Sequence, residues 1–157
     1  MLMIERISWR KPRYAVRDGA GHSGLWVRRR ITEAVTGEID GKPFQLRRDA
    51  RRRFTLVDAD TIVATAEAAK SGQWTITADG VAYQLRRGSR WRSDMELCRG
   101  MTPVGSIRKG RAPRGQVLCD LPSELSPGVQ AFIGFLVLAL WNRAAASSGS
   151  AAVAGTS

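Results

Sequence analysis

Apolar and polar residues alternate in short runs over residues 13–120, and turn dipeptides separate these runs. A period of two places successive side chains on opposite faces of a sheet, so each run predicts a half-buried β-strand. No run here has the period of a helix. We expect strands at residues 14–17, 25–30, 33–39, 44–48, 54–57, 62–68, 74–77, 82–86, 95–98, 104–108 and 116–119.

The turn dipeptides indicate how these strands are connected. Asp40-Gly41 and Asp79-Gly80 are the strongest hairpin signals, because a type I′ turn needs positive φ at both central residues. Residues 58–60 (Asp-Ala-Asp) and Arg99-Gly100 mark two further turns. Hairpins that recur about every twenty residues are typical of an antiparallel meander.

One segment of this meander occurs twice. DGKPFQLRRDARRRF (residues 40–54) and DGVAYQLRRGSRWRS (residues 79–93) are identical at eight of fifteen positions. In each copy an aromatic residue and a leucine two positions apart share one sheet face, and the glutamine between them faces the other way. We expect both copies to adopt the same conformation within a pseudo-symmetric barrel or sandwich, whose closure removes exposed strand edges.

The pattern changes after residue 120. Ser126 and Pro127 suit the start of a helix, and between residues 129 and 141 only Gln130 is polar. A helix that is apolar all round lies in a protein core or in a membrane. Thirteen residues span about 20 Å against a hydrocarbon core of about 30 Å, which favours a core helix over a tail anchor.

The predicted fold is therefore mainly β. We expect a closed antiparallel β-barrel of about ten to twelve strands around a central C-terminal helix at residues 128–143. Residues 1–146 form one domain in this interpretation. Residues 147–157 are mostly Ala, Ser and Gly, a composition that predicts a disordered tail.

Charge sets this chain apart from an average domain. It has 157 residues, 43% of them hydrophobic, and a formal net charge of +11 to which 21 arginines contribute. A positive field of this size attracts phosphate-bearing partners, either nucleic acid or an anionic membrane surface. A GC-rich genome would account for arginine in place of lysine, although it leaves the net excess of basic residues unexplained.

The arginines cluster at the two repeated connections. Guanidinium groups pair with phosphate through two parallel hydrogen bonds, so these residues are candidates for an anionic ligand. Trp91 suits a membrane interface or stacking on a base. The alternative is that these arginines form a solvated outer face. The candidates are Arg47, Arg48, Arg51, Arg52, Arg53, Arg86, Arg87, Arg90 and Arg92.

Residues that would carry catalysis are scarce. His22 is the one histidine and lies in a Gly-rich turn without the lysine and helix that a phosphate-binding loop requires. Asp58 and Asp60 suit a turn between strands better than paired catalysis. We predict no enzyme activity, no metal and no cofactor.

Compartment is indicated by the cysteines and the N-terminus. Cys98 and Cys119 follow apolar residues in strand-like runs and are predicted to be buried free thiols. The first fourteen residues lack the apolar stretch of a signal peptide. We therefore expect a cytoplasmic protein, peripheral at the inner face of the plasma membrane if it binds lipid.

A meander closed around a terminal apolar helix resembles the tubby-like C-terminal fold, whose members include phospholipid scramblases and LURP-one-related proteins. The segments that carry the resemblance are FTLVDADTIVATAEA (54–68), MTPVGSIRKG (101–110), the Asp-Gly hairpins and helix 129–141. Bacterial LURP-one-related proteins are the most similar. The resemblance implies a non-enzymatic binding role at membranes.

Three functional interpretations stay open at the level of sequence. The first is a binding module for anionic lipid head groups or another phosphate-bearing partner. The second is a nucleic-acid-binding protein, for which the charge fits although no helix-turn-helix, zinc-finger or ribonucleoprotein motif occurs. The third is a tail-anchored membrane protein. Neither a protein partner nor an oligomeric state can be read from the sequence.

Overall fold

The structure, a computed structural model, describes residues 1–8, 10–29, 34–69, 73–88, 94–111 and 115–155, with side chains as far as residue 146. These residues form twelve strands and one helix. The strands are β1 (Leu2–Arg6), β2 (Arg13–Asp18), β3 (Ser23–Arg28), β4 (Val35–Ile39), β5 (Lys42–Ala50), β6 (Arg53–Asp58), β7 (Thr61–Ala68), β8 (Trp74–Ala78), β9 (Val81–Arg87), β10 (Met95–Arg99), β11 (Thr102–Lys109) and β12 (Gln116–Asp120), and the helix is α1 (Pro127–Gly155).

Each strand pairs antiparallel with its neighbours in sequence, and β1 pairs with β12, so the sheet closes into a barrel. The closing register runs from Leu2 opposite Cys119 to Glu5 opposite Gln116. Closure leaves no strand edge unpaired, which removes the usual template for aggregation. The predicted barrel with a central helix is confirmed.

All eleven predicted strands are present in the described residues, with ends that differ by one or two positions, and residues 30 and 33 lie outside those residues. The strand that the sequence pattern missed is β1. Its residues do alternate, since Leu2 and Ile4 are buried while Met3 between them is half-buried. Because Leu2, Met3 and Ile4 are all apolar, this alternation in burial does not appear in the sequence as an alternation of apolar and polar residues.

The two copies of the repeat start in the same way. Asp40 and Gly41 have φ of 52° and 80°, and Asp79 and Gly80 have φ of 51° and 73°, so both turns are type I′ as predicted. In the strands that follow, Phe44, Leu46, Tyr83 and Leu85 are buried in the barrel interior. The prediction that the aromatic residue and the leucine of each copy share the core-facing side of the sheet is confirmed. Residues 89–93 of the second copy lie outside the described residues.

Helix α1 enters the barrel after β12. The amide N of Val129 approaches the Oγ of Ser126 (3.4 Å), which caps the first turn as the sequence predicted. Gln130, the one polar residue of the apolar stretch, donates its Nε2 to the carbonyl of Leu125 (2.8 Å). Apart from Gln130, all residues from Gly128 to Val137 are buried. The strands therefore enclose the helix on all sides.

Two glycines let the helix approach the barrel wall. A Cβ at Gly134 would lie 2.5 Å from the Cδ1 of Ile4 on β1. One at Gly128 would lie 2.6 Å from the ring of Phe44 on β5. Farther along, the ring of Phe135 contacts Tyr14 edge-on, with centroids 5.3 Å apart. The helix is thus packed directly against the inner face of the sheet.

Beyond Val137 the helix leaves the barrel, and its residues become half-buried and then exposed. It continues to Gly155, whereas the sequence predicted a helix ending at residue 143 and a disordered tail at 147–157. Alanine has the highest helix propensity, and the Ala-rich segment after Arg143 extends the helix by that means. The segment Pro127–Ala146 is long and apolar enough to span a membrane. The core helix of a barrel meets the same criterion, and 50% of this segment is buried inside the protein.

Candidate functional site at the loop end of the barrel

Successive strands of a meander run in opposite directions, so the connections alternate between the two ends of the barrel. The connections that follow β2, β4, β6, β8, β10 and β12 lie at one end, which we call the turn end. Those that follow β1, β3, β5, β7, β9 and β11 lie at the other, which we call the loop end. Helix α1 enters at the turn end and emerges at the loop end.

The two ends carry opposite charge. Among the described residues, this holds for the side chains of each connection and of the strand residues that border it. At the loop end twelve are basic and one, Asp94, is acidic; the basic ones are Arg6, Arg10, Lys11, Arg13, Arg28, Arg29, Arg51, Arg52, Arg53, Arg87, Lys109 and Arg111. At the turn end Lys42 and Arg99 are basic and seven are acidic, namely Asp18, Asp40, Asp58, Asp60, Asp79, Asp120 and Glu124.

Both Arg-rich connections predicted from the repeat lie at the loop end. They follow β5 and β9, four strands apart, which corresponds to about 20 Å along the wall at about 4.8 Å per strand. Arg51, Arg52 and Arg87 are exposed and have no acidic partner within the described part of the chain. Arg90, Arg92 and Trp91 lie outside the described residues.

The other predicted arginines are partly engaged. Arg47 donates its Nε to the side chain of Gln45 (3.0 Å), and Arg48 donates to the carbonyl of Arg51 (3.4 Å). Arg53 lies 3.5 Å from Glu67 and Arg86 lies 3.3 Å from Glu96. Exposed ion pairs of this kind contribute little to stability, so both guanidinium groups can exchange their partner for a ligand at low cost.

The structure adds basic residues that the repeat did not indicate. On an odd-numbered strand the core-facing row ends at the loop end, and on five of the six odd strands its last member is basic; on β5 this is Arg48, because the register with β6 shifts after it. On β1, for example, the row is Leu2, Ile4 and then Arg6. On β7 the row ends in Ala68. The five residues Arg6, Arg28, Arg48, Arg87 and Lys109 form a ring at the barrel mouth, which we call the basic collar.

The collar surrounds the emerging helix. The Nζ of Lys109 lies 5.1 Å from the ring centroid of Trp141, and the guanidinium of Arg143 on the helix lies 5.6 Å from the ring of Phe54 on the wall. Leu138, Leu140 and Trp141 are half-buried at this point. The loop end thus presents cationic groups around a small apolar centre.

A signal for the collar is present in the sequence. Following each period-two row to its last core-facing position gives Arg6, Arg28 and Lys109, none of which belongs to the repeat. Missing β1 removed Arg6 from consideration. For Arg28 and Lys109 the common end of the barrel becomes evident only once strand order is known.

His22 and Asp58, the residues considered for catalysis, form contacts with other side chains at the turn end. His22 contacts the carboxylate of Asp40 through Nδ1, and Ser23 donates its backbone N to the same carboxylate (3.1 Å). The hydrogen bond that the His22 ring donates to the Asp40 carboxylate raises the pKa of His22 and lowers that of Asp40. Asp58 pairs with Lys42 at 2.9 Å. Within the described residues, no three His, Cys, Asp or Glu side chains converge on a metal position.

Both cysteines are free and buried, as predicted. Desolvation raises the pKa of the Cys119 thiol to about 12. A thiol with such a pKa stays protonated at neutral pH and behaves as an apolar core group.

Comparison with protein-family models, with curated proteins and with solved structures finds no match to this chain. The geometry and charge of the two barrel ends therefore carry the functional interpretation.

Proposed function

We propose that the protein is a non-enzymatic module that binds anionic phospholipid surfaces end-on, through the loop end of the barrel. The observation that carries the proposal is the separation of charge, with twelve basic and one acidic side chain at the loop end against two and seven at the turn end, among the described residues. A surface that attracts the first end repels the second, so the barrel axis stands upright on the membrane.

Electrostatics sets the strength and the range of this attraction. A basic residue close to an anionic leaflet contributes up to about 1 kcal/mol, and the attraction decays within about 8 Å at physiological salt. Because the basic side chains ring one end, an upright barrel brings many of them within that distance together. Binding is then weak per residue, additive over the ring, and sensitive to salt.

The centre of the ring suits the interface between head groups and acyl chains. Trp141 is half-buried beside Lys109, and tryptophan and lysine are both favoured at that depth of a bilayer. The helix itself is held in the barrel as far as Val137, which favours a peripheral mode over a tail anchor. The tubby-like resemblance supports the same role, at the inner face of the plasma membrane.

Liposome flotation beside a gel shift tests the proposal. The full chain is mixed with vesicles of phosphatidylcholine alone or with added phosphatidylserine, at low and at high salt. We expect flotation with the anionic vesicles only, and loss of flotation at high salt. Equal flotation with neutral vesicles would refute the electrostatic mechanism, and flotation with neither together with a salt-sensitive gel shift would assign the loop end to nucleic acid.

A further inference from the structure

A crevice separates the emerging helix from the barrel wall at the loop end. Its volume is about 130 Å³, and we call it the helix crevice. Its lining includes the apolar side chains of Ile4, Val117 and Leu138, which we call its floor, together with Tyr14 and Gly115. Arg6 and Asn142 are the polar residues of its lining. It therefore combines an apolar interior with a cationic group, within the collar.

The floor belongs to three different elements that converge at the barrel mouth. Ile4 lies on β1, Val117 on β12 and Leu138 on α1, and β1 and β12 pair with Ile4 opposite Val117. Ile4 and Val117 are almost fully buried, at 1% and 2% exposure. A closed apolar cavity of about 150 Å³ accepts a molecule the size of benzene, so this slightly smaller crevice, which is open to solvent on one side, can hold most of an apolar group of about six carbons.

Arg6 supplies the charge at the rim. It follows Ile4 on the core-facing row of β1, so its side chain lies on the same face as the crevice floor. Its Nε donates to the carbonyl of Ser8 at 3.0 Å, which holds the guanidinium group at the mouth. Arginine pairs with phosphate and carboxylate through charge-assisted hydrogen bonds.

We propose that the helix crevice binds one amphiphilic anion, a phosphate or carboxylate that carries an apolar group of about six carbons. The apolar group contacts Ile4, Val117 and Leu138, and the anionic group pairs with Arg6. Sites for small molecules have this general character, with mainly apolar walls and few polar groups that fix orientation. The inference rests on the proposed function in one respect, because it assigns a particular ligand to the end of the barrel that attracts anionic lipid.

Calorimetric titration of the full chain with hexyl phosphate tests this site, with inorganic phosphate and hexanol as the two half-ligands. Asn142→Trp fills the crevice from an exposed position of the helix, and Arg6→Gln removes the charge at the rim. Ala144→Trp is the matched control, since residue 144 lies about 200° around the helix from residue 142. The thermal transition of each variant establishes that it is folded.

We expect hexyl phosphate to bind at least about tenfold more tightly than either half-ligand, since a charge-assisted hydrogen bond and apolar burial each add to affinity. Asn142→Trp abolishes this binding, Arg6→Gln weakens it at least about tenfold, and Ala144→Trp leaves it unchanged. Equal binding by the two tryptophan variants, equal affinity for inorganic phosphate, or no binding of hexyl phosphate would overturn the inference.

Flotation of the same variants separates the two proposals. Asn142→Trp leaves the charge of the loop end unchanged, so it should still float with anionic vesicles. If the wild type floats with anionic vesicles but does not bind hexyl phosphate, the proposed ligand site in the crevice is refuted and the proposed membrane role is retained. Hexyl phosphate binding without flotation would refute the proposed membrane role and leave a site for a soluble anion.

Discussion

Leu136 has 1% of its surface exposed and lies near the loop-end limit of the helical segment that the barrel encloses. A charged group at this position loses almost all of its hydration on folding. An unpaired buried carboxylate costs several kcal/mol against a total stability of about 5–15 kcal/mol.

We therefore expect Leu136→Asp to unfold the barrel at neutral pH. Ala145→Asp is the control, since residue 145 lies on the same helix but is exposed. Circular dichroism during heating measures both. A cooperative transition of Leu136→Asp close to that of the wild type would show that the helix is not enclosed in solution.

His22 and Asp40 link two turns at the turn end, and both side chains are exposed. The hydrogen bond between them raises the pKa of His22 above 6.5 and lowers that of Asp40 below 3.8. The histidine contribution to stability is complete below pH 6.5 and is lost as pH rises through the raised pKa. The aspartate contribution is present above pH 3.8 and is lost as pH falls through the lowered pKa.

The pair therefore stabilises the turn end most between pH 3.8 and 6.5. An NMR titration of the His22 ring should give a pKa above 6.5 in the wild type, and Asp40→Asn should bring it back towards that value. An unchanged pKa in Asp40→Asn would mean that this contact does not persist in solution.

At the scale of elements, the two copies of the repeat depend on glycine in the same way. Gly41 and Gly80 have positive φ, at 80° and 73°, and no heavy atom lies within 4 Å of a Cβ built on either. A side chain there is strained by the backbone alone, which costs about 1–2 kcal/mol.

Gly41→Ala and Gly80→Ala should each lower the free energy of unfolding by about 1–2 kcal/mol, and by similar amounts. Gly19→Ala is the control, because Gly19 also has open space but no positive φ. Urea denaturation measures all three. A large difference between the two repeat positions would contradict their structural equivalence.

The sequence predicted most elements because their signals are local. Alternation over eleven strands, two Asp-Gly turns and an all-apolar helix each follow from a few neighbouring residues. β1 was missed because Leu2, Met3 and Ile4 are all apolar, so the sequence shows no alternation there. The length of α1 was missed because the composition of residues 147–157 indicates disorder, whereas their alanines extend a helix that is already formed.

The candidate site was predicted in part for a different reason. The repeat identified both Arg-rich connections, and strand order then places both at the loop end. Arg6, Arg28 and Lys109 come from strands far apart in sequence, so only closure of the barrel brings them into one ring. The helix crevice depends on β1, β12 and α1 meeting at the mouth, and such a convergence has no local signal.

At the scale of the whole molecule, closure of the barrel separates acidic from basic connections, so that its two ends carry opposite charge. Among the described residues, most acidic side chains of the connections follow even strands and most basic ones follow odd strands, and a meander places these connections at opposite ends. A net charge of +11 alone would attract an anionic surface to any face of the protein. The separation of charge selects the loop end, and with it the orientation of the barrel.

The most direct test compares two variants that each lose three positive charges. The first removes Arg51, Arg52 and Arg87 at the loop end, and the second removes Arg17, Lys42 and Arg99 at or near the turn end, all by substitution with Ser. Flotation with anionic vesicles should be strongly reduced for the first variant and retained by the second, with thermal transitions of both near that of the wild type. Equal loss in the two variants would mean that net charge alone drives binding, and it would contradict end-on association through the loop end.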